Sequence, residues 1–276
     1  VPIPQAEASA YGIMSVNEDG LITQFAEKPK DPQLMPGSNN MCLASMGIYV
    51  FNAEFLYKVL QEDEESSDSQ HDFGNDIIPS LVRKGLAHAH DFSKSCVCNR
   101  GKQLIYWRDV GTIDSFWAAN MDLASVTPDL DVYDQEWPIW TYQTQLPPAK
   151  YVQDMNGASS ILRNSVMSAG VIVSGSSICS CVLFYNVRVH SFCFINEVVA
   201  FPDVIIHRGC RLTKVILDRG CELPRNLVAG ENYEDDSRRF YRSEGGVTLI
   251  TRRMLANLRE NEPWLFEGFD NYCSKD

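Results

Sequence analysis

Between residues 161 and 223, aliphatic side chains recur at a fixed interval of 17 residues. Ile161, Ile178, Ile195 and Leu212 form one series, Val166, Leu183, Ala200 and Leu217 a second, and Ile172, Val189, Ile206 and Leu223 a third. Within each interval the spacings are 5, 6 and 6. Three inward columns require a triangular coil with three short strands per turn, a β-helix built on a hexapeptide-like ladder with one residue deleted per coil. Four such coils bury a continuous apolar core. Cys193 stacks over Cys210 and His190 over His207 at the same interval. After Leu223-Pro224 the ladder stops and Glu231 to Ser237 is acidic and polar. Val247 to Ile250 then reads as a strand leading into a short helix, Arg252 to Leu258, which together would cover the open solenoid end. The Trp- and Phe-bearing tail beyond it shows no clear pattern.

The first 125 residues follow a different rule, with strands and helices alternating as in an α/β layer. Leu21 to Phe25 reads as a strand, followed by Glu27-Lys28-Pro29, where the proline stops regular pairing. Ala44 to Phe51 reads as a buried strand interrupted by Gly47, with Ser45 and Tyr49 on one side. A helix is expected from Ala53 to about Gln61, and a second after His71-Asp72-Phe73-Gly74-Asn75-Asp76, with Asp72 placed as its N-cap. Leu86 to Phe92 alternates as a strand carrying His88 and His90 on one face. From Val126 to about Ser160, Pro128, Pro138, Pro147, Pro148 and scattered aromatics mark a linker or packing segment. The expected divisions are therefore 1–125, 126–160 and 161–276.

Composition removes several classes of function. A net charge of -12 argues against a general nucleic-acid or anionic-membrane surface, since both need a basic field. No run approaches a membrane span. Eleven of the 24 Lys and Arg lie between Arg208 and Arg259, which suits either an anionic ligand or a solvated, ion-paired surface. The nine cysteines include Cys96-x-Cys98 and Cys179-x-Cys181 but no paired zinc spacing. Residues two apart on a strand share a face, yet these thiols are read as small hydrophobes in a reducing cytoplasm. The chain opens Val1-Pro2-Ile3-Pro4, and the expectation is that an N-terminal part of the first domain precedes it.

The chemistry centres on Tyr106-Trp107-Arg108-Asp109-Val110-Gly111-Thr112. Leu104 to Trp107 reads as a buried strand, and an amphipathic helix with Ile113, Phe116, Trp117 and Leu123 facing inward begins after Thr112, which can cap it. Asp109 then lies at a strand's end, where open α/β sheets bind ligands. A carboxylate there can hold Mg2+ against substrate phosphates, because Mg2+ takes one or two protein carboxylates and completes its shell with water and phosphate oxygens. Pairing with Arg108 or capping a turn accounts for the residue equally well. Lys28 at another strand's end suits a phosphate and Glu27 can accept sugar hydroxyl bonds. An exposed charged turn explains both as well.

Taken in order, Glu27-Lys28-Pro29, Ser45-Met46-Gly47-Ile48-Tyr49, His71-Asp72-Phe73-Gly74 and Trp107-Arg108-Asp109-Val110-Gly111-Thr112, followed by the β-helix and Arg238-Arg239-Phe240-Tyr241-Arg242-Ser243-Glu244, resemble bacterial glucose-1-phosphate adenylyltransferases. The resemblance implies the C-terminal portion of a mixed-sheet, Rossmann-like nucleotidyltransferase domain followed by a left-handed β-helix. It also implies ADP-glucose synthesis from ATP and glucose 1-phosphate for glycogen in the cytoplasm. On that basis Lys28 would bind the sugar phosphate. Glu27, Ser45, Tyr49, Asp72, Phe73 and Trp107 would line the sugar pocket, and Asp109 would be one of two Mg2+ carboxylates. The family's Gly-rich nucleotide loop and second carboxylate are expected in a preceding segment, and the present chain alone is expected to turn over little. Arg219 and Arg252 match positions contacting a sugar-phosphate activator and an AMP-type inhibitor, while a third expected arginine falls at Ala256. A homotetramer is implied. Two other readings compete: a non-catalytic regulatory or assembly subunit of the same fold, and a β-helix acyltransferase using His190 or His207.

Overall fold

A computed structural model of the chain describes residues 1–96, 106–153 and 160–267. The chain divides into two compact units, residues 1–97 and 98–276. Among the described residues no helix is long and apolar enough to cross a membrane.

The first unit is built on β1 (Pro2–Pro4), β2 (Gly12–Val16), β3 (Ile22–Glu27) and β4 (Met41–Ala44), hydrogen-bonded in the order β1-β4-β2-β3 with every pairing antiparallel. Two helices follow, α1 (Ala53–Glu64) and α2 (Ile78–Arg83). Asn52 caps α1 by accepting from the Phe55 amide. Val59 of α1 packs with Ile77 and Leu81 in a small core bordered by Phe51 and Phe55.

Two expected strands are absent from this unit. Met46 to Phe51 continues past β4 without strand structure. The alternation there does not mark burial, since Ile48 is 71% and Val50 97% exposed. Residues 86–92 also form no strand. A single bridge, Leu21 with His88, lies between the bonds Ile22 N to Ala87 O and Ala89 N to Gly20 O, too short a contact to continue as a ladder.

The second unit is dominated by a β-helix of three parallel sheets. Its pairings repeat at 17 residues: Ile178, Ile195 and Leu212 are in register, as are Leu183, Ala200 and Leu217, and Val189, Ile206 and Leu223. All nine side chains are at most 1% exposed. A second set of inward residues lies two positions before these: Cys181, Val198 and Val215, then Val187, Val204 and Cys221, then Cys193 and Cys210, with Leu227 standing likewise before the buried Ala229 of the next coil. The cysteines there act as small apolar side chains, and burial pushes the Cys181 thiol up to about 12.

The first coil departs from the expected columns by one residue. Leu162, Met167 and Val173, not Ile161, Val166 and Ile172, align with Ile178, Leu183 and Val189. Ile161 is accordingly 50% exposed and Val173 is fully buried. The step is one residue short because the corner holding Ser174, Gly175 and Ser176 is tightened, with Gly175 at φ +36. The solenoid also begins before residue 161, since Lys150–Val152 already pairs with Ile172–Ser174. Cys179 and Cys181 do not share a face, because Ser180 turns the corner between them at φ +52. Cys98 of the other cysteine pair lies outside the described residues.

At the far end, the strand Thr248–Ile250 and α5 (Arg252–Asn261) follow the last coil as expected, and the stretch read only as acidic and polar forms a further helix, α4 (Tyr233–Arg239). Phe240, Leu255, Leu258 and Phe266 complete its apolar core. The tail from 268 onward lies outside the described residues.

Candidate active site

Most of the residues singled out in the first unit converge at one end of its sheet. Gly12 of β2 pairs with Glu27, the last residue of β3, and the Ser45 amide donates to the Gly12 carbonyl at 2.8 Å. Ser45, Gly12 and Glu27 thus lie side by side across three strands. The Glu27 carboxylate presses on the turn before α2, where a methyl added to Gly74 would lie 2.7 Å from Glu27 Oε2. Asp72 Oδ1 caps that turn, accepting the Gly74 and Asn75 amides at 2.8 Å each. Capping uses that oxygen and presents Phe73 next to it. Tyr49 and Phe73 stack with centroids 5.7 Å apart and planes 16° apart, with Phe51 against both.

Lys28 follows β3 with φ +44, a left-handed conformation that costs a non-glycine residue of order 1 kcal/mol and collects at functional sites. Its amide donates to Tyr11 O, and its exposed ammonium is 3.9 Å from Glu27 Oε1. His71 shares the left-handed conformation at φ +59, and its Nδ1 meets Asp63 Oδ2 at 2.9 Å. The Ser69 and His71 bonds to Asp63 hold that carboxyl below its ordinary value. Asp63, which holds His71 at this rim, carried no motif to mark it in the sequence.

Trp107 and Asp109 belong to the second unit. Leu104 and Ile105 of the expected strand lie outside the described residues, and Tyr106 to Gly111 has no regular structure. Asp109 therefore sits in an irregular approach to a helix. That helix, α3 (Ile113–Leu123), starts at Thr112, whose hydroxyl accepts the Ser115 amide while Ser115 Oγ accepts the Thr112 amide. Neither competing reading of Asp109 holds. Arg108 bonds Asp129 at 2.7 Å and approaches Asp122 at 3.7 Å, and the helix cap is Thr112. The exposed Asp109 carboxylate has no hydrogen bond or ion pair among the described residues, and it lies 3.3 Å from where a methyl on Gly111 would sit. It is a hard oxygen donor free to take a cation. No group of three His, Cys, Asp or Glu able to cage a metal occurs among the described residues.

Two family profiles match the chain: nucleotidyl transferase over residues 1–126 and GlmU-like, C-terminal hexapeptide over residues 147–250. A glucose-1-phosphate adenylyltransferase from Enterobacter sp. (strain 638) is 52% identical over 259 residues, covering 94% of this chain and 60% of the relative. One from Pectobacterium carotovorum subsp. carotovorum (strain PC1) is 54% identical over 258 residues, covering 94% and 61%. Over nearly its whole length the chain is similar to these glucose-1-phosphate adenylyltransferases. It spans about 60% of the length of the curated relatives it matches.

The adenylyltransferase resemblance also singles out Arg219 and Arg252, and the Arg252 side chain reaches the Arg219-Gly220 turn at the solenoid end. Arg252 opens α5, and its Cδ lies 3.6 Å from where a methyl on Gly220 would sit, next to Arg219. Arg219 bonds the Tyr185 hydroxyl, whereas Arg252 is exposed and has no ion pair among the described residues. The two histidines of the acyltransferase reading stack on each other, centroids 4.9 Å apart, and His207 Nε2 meets Glu222 Oε1 at 3.0 Å. That geometry is a surface ladder between coils.

Proposed function

We propose that the natural protein joins the adenylyl group of ATP to glucose 1-phosphate, giving ADP-glucose and pyrophosphate for glycogen synthesis in the cytoplasm. The convergence of Glu27, Lys28, Ser45, Tyr49, Asp72 and Phe73 on one rim carries this reading, because a sugar phosphate needs the three chemistries found there. A cation meets the phosphate, carboxylates accept sugar hydroxyls, and a stacked aromatic wall takes an apolar ring face. Identity to the named relatives narrows the sugar and the nucleotide.

In this reading residues 1–125 are the C-terminal part of the catalytic domain, the packing segment expected over 126–160 ends before the Lys150–Val152 strand, and the β-helix with its regulatory cap runs from that strand onward. Lys28 holds the sugar phosphate and leaves an oxygen of it directed at the α-phosphorus. Glu27, Ser45, Tyr49, Asp72, Phe73 and Trp107 orient the sugar. A P–O bond forms between the sugar phosphate and the α-phosphorus as the bond to the β-phosphate breaks, so catalysis is positioning and charge neutralisation. The single unpaired carboxylate of Asp109 fits a Mg2+ that keeps water and phosphate oxygens as its other ligands. When bound, that ion supplies neutralisation of charge on the reacting phosphates.

Arg219 and Arg252 form the effector site for a sugar-phosphate activator and an AMP-type inhibitor, within a homotetramer. Their adjacency at the solenoid end supports this assignment, since an anionic ligand needs convergent cations. The natural protein supplied with ATP, glucose 1-phosphate and Mg2+ should release pyrophosphate and ADP-glucose together. Absence of both products would end this reading. Arg252→Ala should raise the activator concentration required for half-maximal effect by about tenfold, and an unchanged activation curve would remove the residue from the effector site.

A further inference from the structure

The start of α3 is fastened to the C-terminal cap by a set of contacts that no sequence motif marked. Asp114 Oδ1 accepts a hydrogen bond from Ser243 Oγ at 2.6 Å, and Oδ2 accepts the Gly245 amide at 3.2 Å. The fit leaves no slack, since a methyl on Gly245 would fall 2.4 Å from Asp114 Oδ1. Ser243 is itself buried, and its hydroxyl also accepts the Val247 amide at 2.9 Å. Lys214 Nζ donates to Gly245 O at 2.7 Å and lies 4.7 Å from the centre of the Trp117 ring, whose Nε1 donates to Glu197 O at 2.9 Å. Below this, Ile113, Phe116, Trp117 and Met121 pack on Val199, Ile216 and Val247 of the solenoid's outer surface.

The two ends of this joint lead to the two places where chemistry is assigned. In one direction, Asp109 precedes α3 by only Val110, Gly111 and the capping Thr112. In the other, Ser243 to Val247 runs into the strand Thr248–Ile250, in register with Val215–Leu217. Thr251 then caps α5, which begins with Arg252.

We propose that Asp114 is a positioning residue whose bond to Ser243 fixes the backbone presenting Asp109 to the C-terminal cap. This rests on the adenylyl-transfer reading. An electrostatic role at the helix terminus alone would not require a buried hydroxyl and a glycine shaped around the carboxylate.

The test uses the natural protein, steady-state ADP-glucose synthesis and amide hydrogen exchange over residues 108–112. Asp114→Ala and Ser243→Ala should each lower kcat about tenfold while the KM for glucose 1-phosphate stays within about twofold. The double variant should be no worse than the poorer single one, because both remove the same bond. Ser243→Thr keeps the hydroxyl and should recover most of the rate. Exchange over 108–112 should quicken in both alanine variants and not in Ser243→Thr. Wild-type kcat in the alanine variants, or unchanged exchange over 108–112, would overturn the proposal. Should the wild-type protein make no ADP-glucose, the activity reading fails by itself, and the exchange pattern still decides whether the joint exists.

Discussion

The 1–97 unit and the β-helix divide the work of the chain in opposite ways. In the β-helix, each coil lays aliphatic or cysteine side chains over those of the coil before it, and the core from Val171 to Leu227 is almost wholly closed to solvent. In the 1–97 unit the buried set is small, and the informative side chains stand in turns and irregular segments at the end of an antiparallel sheet. A repeat of nearest-neighbour contacts is a stable scaffold with little chemical variety. Loops carried on a smaller sheet can hold strained, exposed and charged groups at defined positions. Asp109 shares that loop character although it lies in the solenoid's unit, held by α3 on the solenoid surface.

This contrast predicts that rate and stability respond to different residues. The largest effect should come from Asp109→Ala, with turnover falling about a thousandfold, or ~4 kcal/mol of barrier, and the melting temperature unchanged. A matching loss of stability would blur the division. Next, Leu212→Ala in the fully buried column should cost about 3 kcal/mol of unfolding free energy in denaturant titration. A value near zero would mean the coils do not support one another. Lys28→Ala should raise the KM for glucose 1-phosphate about tenfold to a hundredfold, as expected for losing one charge-assisted bond, with kcat little changed. Lys28→Gly should show the same KM effect while gaining stability from relief of the left-handed strain.

The smallest effect concerns acid stability of the cap. Arg239 grips Glu262 with two bonds, at 2.8 and 2.6 Å, and holds its carboxyl below the ordinary value. The folded state therefore protonates Glu262 less readily than the unfolded chain does. Its contribution to stability is complete above the ordinary carboxylate range and is lost as pH falls through that range toward the lowered folded value. In Glu262→Gln, melting temperature should fall less steeply with acidification than in the wild type. Identical slopes would place the cap's acid sensitivity elsewhere.

Much of the architecture was legible because repetition and capping are local. Leu183, Ala200 and Leu217 were placed correctly by arithmetic, and Asp72 and Thr112 cap helices where their sequence positions indicated. The errors have a common cause. Ile48 and Val50 alternate like a strand, but a ladder needs a partner edge, and none continues beside them. Ile161 and Ile172 keep the 17-residue interval, but a corner tightened at Gly175 shifts the first coil by one residue, and with period-two side chains such a shift exchanges inside for outside. Lys28 and Glu27 were recognisable as a charged pair, whereas the approach of Glu27 to Gly74 and the Tyr49-Phe73 stack required the folded sheet.

By itself the sequence determined that residues 161–223 coil, that the segment before them alternates helices with short strands, and that an ordered set of motifs matches one enzyme family. Those features depend on periodicity and on residues a few positions apart. The tertiary structure alone decided where the coils begin, which residues turn their corners, and what secures α3. Glu197, Lys214 and Phe192 have left-handed backbone at corners, although nothing in their side chains favours it, because the neighbouring coils fix the turn. Asp114 stands in the first turn of α3, and its partners Ser243 and Gly245 lie about 130 positions later in the chain. Contacts between residues that far apart follow from packing, and only the packed molecule can reveal them.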